Sequence, residues 1–173
     1  VGLAERVDPD GATDEKTMLV QYLDHLRATV AMKARGVDAA GAAATVGAST
    51  LTLGGLVKHL TLVEHSWFEH RFVDGPGREP WIGVDWESDP DWEFRTGATE
   101  DVDDLLAEYD AACARSNAII AAAELDDLLA WSGWEGRERP NLRWVILHMI
   151  EETARHAGHA DLLREAIDGV VGE

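Results

Sequence analysis

The sequence predicts an all-α protein, a four-helix bundle joined by long tryptophan-bearing loops. Apolar residues recur at steps of three and four in four separate stretches, the period of a helix with one buried face. No stretch carries a convincing strand signal. With 173 residues the chain is long enough for one domain, residues 1–173, with a substantial core.

Residues 1–12 contain Pro9 and Gly11 and read as a leader that wraps or frays. Thr13 offers an N-cap for the first helix, with Asp14 and Glu15 in its positive first turn. Its stripe is Met18, Tyr22, Leu26 and Val30, ending near Gly36. Residues 37–52 form an Ala/Gly/Thr connector. The second helix runs roughly from Leu53 to Val73, with a stripe of Leu56, His59, Leu60, Val63, Trp67 and His70.

Residues 74–98 are a loop punctuated by Gly, Pro and Asp, in which Trp81, Trp86 and Trp92 recur. A loop of that length is functional or disordered, and its tryptophans favour a docked, ordered one. Thr99 caps the third helix, whose stripe is Leu105, Tyr109, Ala112, Cys113, Ser116 and Ile120, to about Ala123. Residues 124–140 are irregular again and bring Trp131 and Trp134. The fourth helix is the best marked: Asn141 caps it after Pro140, and Gly169 closes it.

Composition narrows the function. The 33 acidic residues against 15 basic give a net charge of -18, which argues against nucleic acid and against an anionic membrane surface. One cysteine excludes an internal disulfide and suits the cytoplasm. The chain shows neither a membrane span nor a signal peptide.

The stripe of the fourth helix reads Leu142, Val145, Met149, Glu152, His156, Ala160, Leu163, Ile167. A carboxylate and an imidazole stand one turn apart where aliphatic residues belong, and a buried charge needs a partner. A metal ion serves both, with His59 reaching across the core as a third ligand. Two histidines and one carboxylate suit zinc with an open fourth position, and nickel or copper also fit. His148 and His159 share the same helix face, and spacing alone does not choose among the four side chains. The bland alternative pairs Glu152 with Arg143 or Arg155 at the surface and leaves His59 as a satisfied core residue. His25, His65 and His70 read as surface or boundary residues, and Cys113 as a small buried one. The tryptophans read first as packing and second as a ligand wall. The acidic run 100–104 is a solvated helix start, lacking the alternating ligands and turn glycine of a calcium loop.

Three segments carry a resemblance: Leu53-Gly-Gly-Leu-Val-Lys-His-Leu60, Leu142-Arg-Trp-Val-Ile-Leu-His148, and Glu151-Glu-Thr-Ala-Arg-His-Ala-Gly-His-Ala-Asp-Leu-Leu-Arg-Glu165. They are similar to the DinB-like superfamily, and most of all to its mycothiol-dependent S-transferase-like branch. Leu19-Val-Gln-Tyr-Leu-Asp-His-Leu-Arg27 fits the first helix of that branch, so the likeness extends from residue 13 onward. The resemblance implies a four-helix bundle with a metal on His59, Glu152 and His156. A glutamate at the second of these positions resembles the maleylpyruvate isomerase type. His159 stands where many relatives have glutamine, as a residue around the ligands or against the substrate.

The implied activity is a metal-dependent S-transferase, or a thiol-dependent isomerase. Its partners would be mycothiol, a low-molecular-weight thiol, and an electrophilic small molecule, with the protein a monomer or homodimer. A non-catalytic metal-binding stress protein and a metal-dependent hydrolase are the competing classes. Arg143 and Arg155 are candidates for a substrate carboxylate. A carboxylate or carbonyl is expected behind each ligating histidine, with Glu64 and Asp24 as the candidates.

Overall fold

A computed structural model describes residues 5–133 and 138–172. Among them are α1 (Glu15–Ala34), α2 (Ala39–Ala42), α3 (Leu53–Glu64), α4 (Trp92–Gly97), α5 (Val102–Ala122) and α6 (Leu142–Asp168). The chain of α3 continues as a π-helical segment, His65–Phe72, and a short 3-10 turn covers Trp81–Gly83. The protein is all-α. Its four long helices, α1, α3 with its π extension, α5 and α6, pack as a bundle. No described helix is long and apolar enough to cross a membrane. Among the described residues the β-pairing is a single isolated bridge, Leu128 with Asn141.

Short-range polar chemistry sets the helix ends. Asn141 accepts a hydrogen bond from the Trp144 N–H at 3.0 Å, and Gly169 closes α6 at φ 78°. Two caps differ from the expected ones. α1 is capped by Asp14, which accepts from the Thr17 N–H and hydroxyl, rather than by Thr13. α5 is capped by Asp101, which accepts from the N–H groups of Asp103 and Asp104. Thr99 instead donates its hydroxyl back to the Thr96 carbonyl and closes α4. In both cases an aspartate lies one or two residues beyond the threonine and takes the cap.

The buried face of α1 is also rotated from the expected stripe. Leu23, Arg27, Val30, Ala31 and Ala34 are buried, whereas Tyr22 is 50% exposed. The cause is Arg27, which is fully buried. Its Nε and Nη2 donate to the two oxygens of the equally buried Glu64, at 2.7 and 2.6 Å, and Nη1 donates to Asp24 and Asn117. Burial alone would weaken the guanidinium's hold on its proton, and the charge of Glu64 more than restores it. A hydropathy pattern assigns an arginine to the surface, so the stripe is misread by a residue. Cys113 and Tyr109 pack beside this pair in the core, and burial pushes the thiol well up, out of its reactive range.

The loops are docked, as their tryptophans predict. Trp92 meets Trp81 and Trp86 edge-on, with ring centroids 6.0 and 6.3 Å apart. Ala130 and Trp131 donate their N–H groups to the Phe72 and Arg71 carbonyls at the end of the π segment. Trp134 lies outside the described residues. The described part of the leader also wraps: Asp10 and Gln21 exchange two hydrogen bonds of 2.9 Å, and His25 accepts from Arg6.

The Arg27–Glu64 pair yields a stability prediction. Arg27→Met strands a buried carboxylate and is expected to cost about 3–5 kcal/mol in denaturant unfolding. Arg27→Met combined with Glu64→Leu removes both charges and is expected to recover most of that loss. Additive losses in the double variant would contradict the pairing.

Candidate metal centre

α3 and α6 bring the expected residues together. His59 and Glu152 are partly buried and His156 is buried. One donor atom from each lies within 4.8 Å of the others. His59 Nε2 is 3.2 Å from Glu152 Oε1, and His156 Nε2 is 3.3 Å from the same oxygen. The two imidazole rings meet edge to face at 5.0 Å. The Glu152 oxygen therefore stands between two ring nitrogens that come from different helices. Among the described residues, this is the set of His, Cys, Asp and Glu donors that could share one ion.

Local electrostatics suit that arrangement. Desolvation by burial, reinforced by the neighbouring His59, pushes His156 down to about 4 against the pull of Glu152. Its imidazole is neutral at pH 7, the form in which a ring nitrogen has a lone pair to offer. Burial would raise the Glu152 carboxyl, but its contact with His59 and the electrostatic pull of the two neighbouring imidazoles, His156 and His59, hold it below its ordinary value.

The remaining candidates take other places. His159 lies behind His156: their Nδ1 atoms are 3.3 Å apart, on the opposite side of the His156 ring from the nitrogen that meets Glu152. His148 is drawn into an aromatic stack. It lies parallel to Trp144 at 5.2 Å and edge-on to Trp67 at 4.6 Å. Arg143 pairs with Glu15 and Asp126, and Arg155 with Glu151. Both are surface ion pairs, and neither arginine is drawn to Glu152.

The support behind His59 differs from the expectation. Glu64 is committed to Arg27, and Asp24 to Arg27 and Asn117. The group at His59 Nδ1 is Glu93, whose Oε1 is 3.0 Å away. Phe94, the next residue, stacks on the same imidazole at 4.5 Å. Both come from α4, inside the stretch read as loop. A six-residue helix is too short to show a period, so periodicity gave no signal here.

His65 also departs from expectation, being 4% exposed. It stands where α3 passes into the π segment, on a helix already buried on most of its faces, with its Nδ1 3.4 Å from Glu69 Oε1. His65, Ser66 and His70 line a cavity of about 250 Å³ together with Trp81, Ile82 and Trp86. Trp81 also lines a second cavity, of about 480 Å³, together with Lys58, Trp92 and Glu100 among others. His70 further bonds the Gly75 carbonyl at 3.1 Å and so ties the loop to the helix.

Comparison with known proteins agrees with the likeness seen in the sequence. A search of the curated proteins finds no match. The family model described as Mycothiol-S-transferase matches residues 18–169, from within α1 through the end of α6, and includes all three converging side chains. The chain belongs to the Mycothiol-S-transferase family.

Proposed function

We propose that the protein is a metal-dependent mycothiol S-transferase. In this reading it holds one divalent ion on His59, Glu152 and His156 and joins the thiol of mycothiol to an electrophilic small molecule. The observation that carries it is the convergence of three donors, drawn from two helices, in a member of this family.

The donor set fits zinc best, with nickel second. Two neutral imidazoles and one carboxylate make three protein ligands, the number at which a zinc site keeps a position for a water or substrate. When bound, the ion would hold a thiol sulfur as thiolate at neutral pH.

The chain's own residues do the rest. His59 and His156 fix the donor positions from opposite helices, so the site depends on the packing of α3 against α6. His159 stands where it can orient the His156 ring. The docked loop of residues 74–98 walls the flank of α3 with indole rings and would exclude water there. The reaction forms a carbon–sulfur bond, and the electrophile's leaving group or its π bond takes the electron pair. If the product is a rearranged electrophile with the thiol released again, the same site serves a thiol-dependent isomerase.

The acidic surface does not suit phosphate backbones as partners, and the lone buried cysteine suits the reducing cytoplasm.

Two outcomes test this reading. The purified protein is expected to contain about one equivalent of zinc by elemental analysis, in line with a site of three protein ligands. Glu152→Ala and His156→Ala are expected to lose that zinc while keeping their helical circular dichroism. In a stopped assay with an activated aryl halide, carbon–sulfur bond formation is expected to require both mycothiol and metal, and to collapse in His156→Ala. Equal consumption of a reactive ester with and without mycothiol would favour the hydrolase. Stoichiometric zinc with no turnover of any electrophile would favour the non-catalytic binder.

A further inference from the structure

The helix α4 lies against α3 with almost no space between the two backbones. A Cβ placed on Gly54 would come within 2.2 Å of the Gly97 carbonyl oxygen, and one on Gly55 within 2.7 Å of the Phe94 carbonyl oxygen. Only glycine permits such an approach. Lys58 adds a second tie, its ammonium 4.2 Å from the Trp92 ring centroid. These contacts run along α4 from Trp92 to Gly97, and the side chains of Glu93 and Phe94 meet His59.

Glu93 is an unusual residue to bury in this way. It is 4% exposed, and its Oε2 has no hydrogen-bond partner among the described residues. Its strong contact is with His59 Nδ1. A buried carboxylate with half its acceptor capacity unused is costly. It is retained at the one point where it touches the imidazole that faces Glu152 and His156.

We propose that Glu93 is the positioning residue of the metal centre, and that α4 exists to deliver it. A carboxylate can only accept, so it selects the His59 tautomer with hydrogen on Nδ1. That choice leaves the Nε2 lone pair free for an ion shared with Glu152, whose oxygen is 3.2 Å from Nε2. Phe94 covers the ring face and restrains its tilt. The stretch between the second and third bundle helices is thus part of the site. The inference rests on the reading of His59, Glu152 and His156 as ligands.

The test is zinc affinity, measured by competition with a chromophoric chelator, on the full-length protein and three variants. Glu93→Ala is expected to weaken zinc binding about 10–100-fold. Glu93→Gln keeps the shape and an amide oxygen that can accept, and is expected to lose less. Gly97→Ala, which retains the carboxylate but lifts α4 from Gly54, is expected to weaken binding as well. Nitrogen NMR of the zinc-loaded parent is expected to show His59 protonated at Nδ1. Metal-free unfolding of Glu93→Gln is expected to stay cooperative, which separates positioning from folding. Zinc affinity in Glu93→Ala equal to the parent's would overturn this inference alone. A parent protein that takes up no divalent ion would overturn the reading of the site and this inference with it.

Discussion

Charged groups inside the bundle must find partners there, and this constraint shapes both halves of the core. Midway along α3 the carboxylate Glu152 lies between His59 and His156. At the last residue of α3, Glu64 takes two hydrogen bonds from Arg27. Unpaired, either carboxylate would cost more than the apolar contacts around it return. The two clusters use different solutions. The arginine pair is complete, with every strong donor of Arg27 directed at Glu64, Asp24 or Asn117. The histidine cluster gathers lone pairs around one small volume, which is the condition a metal ion satisfies.

The long helix α6 was legible because its signals are local. Asn141 as cap, Gly169 as stop and a stripe of period 3.6 all lie within the segment itself, and the structure reproduces each. Even the two polar intruders on that stripe were legible, because Glu152 and His156 interrupt an otherwise apolar series. The first helix was misread for the opposite reason. Arg27 is buried only because Glu64, 37 residues away, lies opposite it, and no local pattern announces such a partner. The carboxylate behind His59 was missed on the same ground. Glu64 and Asp24 are the acidic residues expected there, and both are engaged by Arg27. Glu93 reaches His59 only through a short helix that carries no periodic signature.

The segment between α3 and α5 thus changes character once its contacts are known. In the sequence it is a run of Gly, Pro, Asp and Trp with no obvious order. In the fold its tryptophans pack on one another, Trp81 lines two cavities, and its short helix, packed on Gly54 and Gly55 of α3, meets His59. The π-helical segment that starts at His65 supplies His65, Ser66 and His70 to the lining of the smaller cavity. In the proposed site the bundle helices would supply the donors, and this segment places Glu93 and Phe94 against His59.

The central claim is that one ion sits on His59, Glu152 and His156, with His159 behind His156. The most direct measurement is a crystal structure of the zinc-loaded protein with anomalous data collected on both sides of the zinc edge. The account predicts a single strong peak about 2.0–2.2 Å from His59 Nε2, His156 Nε2 and a Glu152 oxygen. A peak that takes His159 in place of any of these three, or one that forms away from them, would contradict it.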